Sequence, residues 1–87
     1  MNRAQNGEAA AQFNLGHRYR RGIGLQKDSA KAAMWFRKAA EQGDIGAEYE
    51  FGAMLVAGEG VPRDMREGQK WLAKANSDNP QNSFRQR

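Results

Sequence analysis

The side chains that could carry out chemistry are few in this sequence. His17 is the single histidine, and the 87 residues contain no cysteine. A catalytic histidine normally works beside a nucleophile and an orienting carboxylate, and the sequence shows no such group around His17. One histidine without any cysteine also provides too few ligands for a zinc centre of the usual kind. The sequence therefore predicts no catalytic residues, no metal site and no cofactor, and we expect a protein that is not an enzyme.

The acidic residues that could act in pairs have structural explanations instead. Glu48 and Glu50 lie two positions apart on a predicted helix, so their side chains diverge. Asp28 and Asp64 each precede a helical segment, at the position where an N-cap residue accepts hydrogen bonds from first-turn amides. Neither pair predicts a general acid and base.

Two short glycine motifs, Gly22-Ile-Gly24 and Gly58-Glu-Gly60, could suggest a phosphate-binding loop. Such a loop needs a preceding strand and a longer glycine pattern, and the sequence has neither. Because Gly22 and Gly58 follow predicted helices, they are better explained as left-handed C-caps.

The densest charge lies at residues 17–21, which read His-Arg-Tyr-Arg-Arg. Three interpretations stay open for it: a solvated helix end whose cations oppose the helix dipole, a site for an acidic protein partner, or a site for nucleic acid or an anionic membrane. Tyr19 falls on the predicted core stripe, so it is not available for stacking on a base. The net charge of +4 is unevenly distributed. Residues 1–39 carry eight basic and two acidic side chains, whereas residues 40–75 carry four basic and seven acidic ones.

A shift of 36 residues makes the sequence match itself. Ten positions are then identical, including both tryptophans, Trp35 and Trp71, and four pairs of glycines. A period of this length indicates stacked supersecondary units. The residues that we expect to shape both units are Gly16, Gly22, Gly24, Asp28, Trp35, Gly52, Gly58, Gly60, Asp64 and Trp71.

Hydrophobic periodicity predicts an all-α fold of two helix-turn-helix units, with helices over residues 6–20, 28–42, 44–57 and 64–76. Gly16 and Gly52 lie inside helices, which predicts close helix packing that offsets the poor helix propensity of glycine. Gly68 stands where the first unit has alanine, so we expect the fourth helix to be the less stable one. The predicted core stripes are Ala11, Leu15 and Tyr19 in the first unit, and Ala47, Phe51 and Leu55 in the second.

The first unit reads A-x-x-G-x-x-x-A-x-x-x-L-G-x-x-Y-x-x-G-x-G-[VL]-x-x-D-x-x-K-A-x-x-W-[FY]-x-K-A-A, and the second unit agrees with this frame at many positions. This frame resembles the Sel-one-like repeat, a relative of the tetratricopeptide repeat. The resemblance implies a short α-solenoid of the kind found in adaptor proteins that hold other proteins. Leu55 and Gly68 depart from the family's usual tyrosine and alanine. We expect the two repeats over 4–39 and 40–75, within a domain of residues 1–75, and a flexible tail over 76–87 in which Phe84 is the only apolar anchor.

A second apolar side of the first helix of each unit predicts a second neighbour. It carries Phe13, His17 and Arg20, with counterparts Tyr49, Ala53 and Val56. In one interpretation these residues wedge between the repeats. In the other, which rests on the resemblance, they line a concave groove that binds a partner.

The sequence thus favours a protein-binding adaptor, or an inhibitory or regulatory module, with an acidic protein as partner. The alternatives are a basic nucleic-acid-binding module using Arg18–Arg21 and a self-associating unit, stacked head to tail or as a dimer. No apolar run approaches the ~20 residues of a membrane span. The first 25 residues contain no apolar secretory region, which leaves the cytoplasm and, after removal of a leader, a bacterial periplasm as expectations.

Overall fold

Residues 3–79 of the protein fold into four helices. The computed structural model describes the backbone of residues 3–79 and the side chains of residues 8–79. The helices are α1 (Arg3–Arg21), α2 (Ser29–Glu41), α3 (Ile45–Ala57) and α4 (Met65–Asp78), and the described residues contain no strand. This is the all-α fold that the periodicity predicts. Because α4 extends to Asp78, residues 76–78 belong to a helix and not to the predicted tail; residues 80–87, including Phe84, lie outside the described residues.

The helices α2, α3 and α4 begin at aspartate caps, and α1, α2 and α3 end near left-handed glycines. Asp28 and Asp64 accept hydrogen bonds from the backbone amides of Lys31 and Glu67, each at 3.0 Å, as the sequence predicts. Asp44 caps α3 in the same way, which the sequence interpretation missed. The positive φ angles of Gly22 and Gly58, 72° and 73°, confirm the predicted left-handed C-caps.

The order of packing follows the chain. α1 packs against α2, α2 against α3, and α3 against α4, so that the two hairpins stand side by side. The core lies at their junction, where Phe36 of α2 and Met54 of α3 are fully buried. Five alanines without accessible surface surround them: Ala32, Ala33, Ala39, Ala40 and Ala47. Such small side chains let the helix axes approach closely.

Close helix contacts explain the glycines inside the helices. A Cβ atom on Gly16 would lie 2.8 Å from the Phe36 ring, and one on Gly52 would lie 2.9 Å from the carbonyl oxygen of Gly68. Gly68 is itself packed in this way, since its Cβ would lie 2.6 Å from Val56 Cγ2. The glycine at 68 is therefore required by the α3–α4 contact, which the sequence interpretation of a weak substitution did not recognise.

The predicted core stripe of α1 is partly wrong. Ala11 is exposed, and Leu15 and Tyr19 are half-buried, whereas the counterpart stripe Ala47, Phe51 and Leu55 of α3 is buried as predicted. The reason is that α3 packs extensively on two helices, α2 and α4, whereas α1 packs extensively on α2 and reaches α3 through Phe13, His17 and Arg20. The same pattern of residues therefore acquires different burial in the two hairpins.

Candidate functional site

The first half of the predicted binding strip, Phe13, His17 and Arg20, lies at the junction of the two hairpins. The ring of Phe13 packs at 4.7 Å from the ring of His17 and at 5.6 Å from that of Phe36. It also reaches α3, where a Cβ atom on Gly46 would lie only 3.1 Å from its ring. Phe13 thus wedges between the repeats, one of the two interpretations that the sequence left open.

Arg20 stabilises the same junction through ion pairs with the second hairpin. Its Nη1 donates to Glu50 Oε1 at 2.7 Å, and its Nη2 and Nε donate to the two carboxylate oxygens of Glu59 at 3.0 and 3.1 Å. Pairing with Glu59, reinforced by Glu50, raises the pKa of Arg20 above its ordinary value. His17 Nε2 lies 3.9 Å from Glu50 Oε2. The sequence interpretation missed both glutamates, although their sign is opposite to that of the basic helix end.

The second half of the strip, Tyr49, Ala53 and Val56, lies on the far side of α3. Tyr49 is 58% exposed, and Ala53 and Val56 are half-buried. Val56 packs against Gly68 of α4, whereas the side chain of Tyr49 stays exposed. The two halves of the predicted strip therefore differ in their surroundings: Phe13, His17 and Arg20 contact the second hairpin, whereas Tyr49 is exposed. That the six residues form one binding groove stays a prediction.

A groove of about 510 Å³ runs beside Tyr49 between α3 and α4. Its walls combine apolar side chains with the amides of two asparagines. They are Ile45, Gly46, Tyr49, Leu72, Ala75, Asn76 and Asn79. We call this groove, together with Ala53 and Val56, the end face. Sequence reasoning did not single out Ile45 or Leu72, although the 36-residue shift places Leu72 on the core residue Phe36.

A buried carboxyl group lies in the same hairpin. Glu48 has no accessible surface, and neither of its oxygens has a hydrogen-bond partner among the described residues. Its nearest cation is Lys74, with Nζ 3.7 Å from Oε2. Burial first, and Asp78 second, raise the pKa of Glu48 to about 7. Glu50 points instead to Arg20, so the two glutamates diverge as predicted, and the described residues hold no cluster of three metal-ligating side chains.

The basic segment at residues 17–21 is engaged in part within the chain. Arg20 faces two carboxylates, and Arg18 Nε donates to the carbonyl of Ile23 at 3.2 Å. Lys31 Nζ lies 5.6 Å from the centre of the Tyr19 ring, which packs against the core. These intramolecular partners weigh against the nucleic-acid alternative, because phosphate binding needs cations free to neutralise it.

Two helix hairpins related by a shift of 36 residues, and stacked through α2 and α3, make this protein a short α-solenoid. The sequence pattern of the Sel1 repeat matches residues 9–44 and 45–79. The chain therefore belongs to the Sel1 repeat family, as its sequence frame suggested. The matched segments start five residues later than the predicted repeats: the first begins inside α1 and the second at the first residue of α3.

Solved bacterial structures share this fold. A Sel1 repeat protein from Oxalobacter formigenes is 31% identical, with a TM-score of 0.81 over 98% of this chain and 35% of its own. The protective antigen c5321 of uropathogenic Escherichia coli, which displays an SLR fold, is 38% identical, with a TM-score of 0.79 over 85% of this chain and 16% of its own. Cysteine-rich protein B of Helicobacter pylori is 26% identical, with a TM-score of 0.80 over 87% of this chain and 57% of its own.

The chain thus spans about a third of the Oxalobacter protein and about a sixth of the Escherichia antigen. No curated protein sequence matches it. Sel1 repeats generally serve as protein–protein interaction modules and are typically non-enzymatic scaffolds. No helix within residues 3–79 has the length and apolar character needed to cross a bilayer.

Proposed function

We propose that this chain is a protein-binding module that holds a segment of a partner polypeptide on its end face. The single observation that carries the proposal is the exposure of Tyr49 beside an apolar groove. Tyrosine is enriched at protein interfaces because it offers a large apolar surface and a polar hydroxyl at low entropic cost. The module acts by occupying a surface of the protein that it holds, as an adaptor or as an inhibitor, and not by catalysis.

The residues of the predicted strip then have two different tasks. Tyr49 contacts the partner because it is exposed on α3, and the half-buried Ala53 and Val56 extend this surface. Phe13, packed against the core, holds the two hairpins in register. The side chains of His17 and Arg20 remain 28% and 32% exposed, which places them at the rim of the junction. Arg20 is already balanced by Glu50 and Glu59, so apolar complementarity supports the proposal better than attraction to an acidic partner does.

The test is a native pull-down with the 87-residue chain, followed by mass spectrometry of the captured proteins. The parent is compared with Tyr49→Asp, which places a charge at the centre of the end face. Met34→Asp is the matched control, since Met34 is also a large exposed side chain, 44% accessible, on α2. The helical circular dichroism of all three proteins establishes that they fold.

We expect one protein to be retained by the parent and by Met34→Asp, and its affinity for Tyr49→Asp to fall by roughly tenfold or more, equivalent to about 1.4 kcal/mol. Equal retention by all three proteins would place the binding surface elsewhere. Failure of the parent to retain any polypeptide, including a second copy of itself, would end the proposal.

A further inference from the structure

We propose that the occupant of the end face is helix α1 of a second copy of this chain, docked head to tail. This inference rests on the proposed function, because it names the partner of the same surface. The contact between the two hairpins of one chain serves as its template. Helix α3 packs on the first hairpin of its own chain. Because α1 is the counterpart of α3 by the 36-residue shift, it can pack in the same way on the second hairpin of another copy.

The template contact is defined by four residues of the second hairpin. Gly46 approaches the ring of Phe13, and Glu50 and Glu59 bind Arg20. Gly60 lies so close to the carbonyl of Ser29 that it has no room for a Cβ atom. These residues form one side of α3 and of the turn that follows it.

The counterparts of these four residues are uncovered in the first hairpin. They are Ala10, Asn14, Ile23 and Gly24, and each is exposed. Of the template residues, Glu50 and Glu59 are half-buried, whereas Gly46 and Gly60 are exposed as well. Ile23 is 53% exposed in the turn after α1. Ala11 is exposed as well, whereas its counterpart Ala47 has no accessible surface. The first hairpin thus presents the equivalent of the contacting side of α3, with no partner for it among the described residues.

The residues of the second hairpin that would receive α1 of another copy differ from those of the template, and the differences are complementary on the two sides of the contact. Arg20 pairs with Glu59 inside the chain, and the shift replaces Arg20 by Val56 and Glu59 by Ile23. A head-to-tail contact would therefore bring Val56 against Ile23 of the next copy. Both members of a charged pair have become aliphatic together, which keeps the contact complementary in polarity. His17 and Glu50 likewise become Ala53 and Asn14, so that no charge is left without its partner.

Charge favours this arrangement over its reverse. The first hairpin is net basic and the second net acidic, so head-to-tail stacking brings opposite charges together, whereas head-to-head contact does not.

Two polar residues, Gln69 and Asn76, replace the buried Ala33 and Ala40 of the template. They make the contact reversible, since the apolar area is smaller than inside one chain. Because a head-to-tail contact is heterologous, it extends into open chains of copies.

The experiment is analytical ultracentrifugation of the 87-residue chain between ~10 µM and ~1 mM, the range of a contact worth about 4–7 kcal/mol. We expect the mean mass of the parent to rise with concentration and to pass that of a dimer. Ile23→Glu places a charge on the contacting side of the first hairpin, and Val56→Arg places one on the end face. Each should lower the association constant by roughly tenfold or more.

The double variant Ile23→Glu/Val56→Arg provides the decisive rescue. It recreates between copies the pair that Arg20 and Glu59 form inside one chain, so association should return and should weaken with added salt. An equimolar mixture of the two single variants should form complexes that neither forms alone. Met34→Glu, which adds the same charge on α2, should associate like the parent.

Val56 packs on Gly68, so helicity and thermal stability of the Val56→Arg protein are measured first. If that variant does not fold, Tyr49→Asp replaces it as the variant with an altered end face. Mixing it with Ile23→Glu then tests whether each variant retains one unaltered contact surface. A parent that stays monomeric at ~1 mM would overturn the inference, and so would undiminished association of both single variants. If the monomeric parent still captures a different protein through Tyr49, the proposed function stands and only the self-docking is wrong.

Discussion

The two hairpins share a sequence pattern and differ greatly in burial. Phe36 has no accessible surface, whereas its counterpart Leu72 is half-buried. Ala33 and Ala40 are fully buried, whereas their counterparts Gln69 and Asn76 are exposed. In a solenoid, therefore, the burial of a residue depends on whether a neighbouring repeat covers it. At α4, which no further repeat covers among the described residues, polar side chains stand where α2 has buried alanines.

In the first helices of the two hairpins, by contrast, residues of the same type differ in burial. Ala11 is exposed and Ala47 is buried, although both are alanines in the same frame. Gln12 and Glu48 differ in chemistry: Gln12 accepts a hydrogen bond from Gln42 at 2.7 Å, whereas Glu48 is a buried carboxyl group near Asp78. Four measurements can break or sharpen this comparison.

The largest effect is expected from the core pair. Phe36→Ala should lower the free energy of unfolding by about 3–5 kcal/mol, because it empties a fully buried site. Leu72→Ala, at the half-buried counterpart, should cost about 1–2 kcal/mol. Urea denaturation followed by circular dichroism measures both. Equal losses would show that α4 is covered as fully as α2.

The second effect is the pH dependence that Glu48 introduces. Its folded-state pKa of about 7 lies above the ordinary value of 4.5, so the folded protein retains a proton that the unfolded chain has lost between these values. Stability from this group is therefore complete below pH 4.5 and is lost as the pH rises through about 7, a change on the order of 3 kcal/mol.

Glu48→Gln, which copies Gln12, should remove this dependence. The variant should match the parent at about pH 4.5, where the unfolded chain starts to release the Glu48 proton, and exceed its stability at pH 8. Denaturation curves at both pH values give the comparison. A parent that is more stable than the variant at pH 8 would mean that Lys74 compensates the buried charge.

The third effect separates the two helix glycines. Gly52→Ala should cost about 2 kcal/mol, because its methyl group meets the backbone of Gly68, which cannot move without shifting α4. Gly16→Ala should cost about 1 kcal/mol, since its methyl group meets only the side chain of Phe36. Thermal unfolding of the two variants tests the order. The reverse order would show that the Phe36 ring is the less adaptable neighbour.

The smallest effect concerns the ion pair between the hairpins. A double-mutant cycle with Arg20→Val and Glu59→Ile, the residues found at the shifted positions, should give a coupling of about 0.5–1 kcal/mol for this partly exposed pair. The coupling should shrink in 1 M salt, where the Debye length is about 3 Å. The double variant should keep nearly the stability of the parent, because the aliphatic pair restores complementary contact. A double variant less stable than either single one would contradict this.

Much of the fold could be predicted from the sequence because its signals are local. The 36-residue repeat, the caps Asp28 and Asp64 and the turn glycines Gly22 and Gly58 depend on the chain within a few residues, and all of them are confirmed by the structure. The binding strip could be predicted only in part. Its residues lie on the expected side of α1 and α3, but the helical wheel could not show that Phe13 faces another hairpin while Tyr49 faces solvent.

The sequence by itself determined the family, the four helices and the period that relates them, because helix periodicity, capping and turn conformation are properties of short stretches of chain. The tertiary structure alone decided which copy of each residue is covered. Arg20 became an internal ion pair and Glu48 a buried acid because residues distant in the chain came to lie against them. Burial and charge pairing are properties of neighbours in space, and a stacked repeat gives identical sequences different neighbours at its two ends.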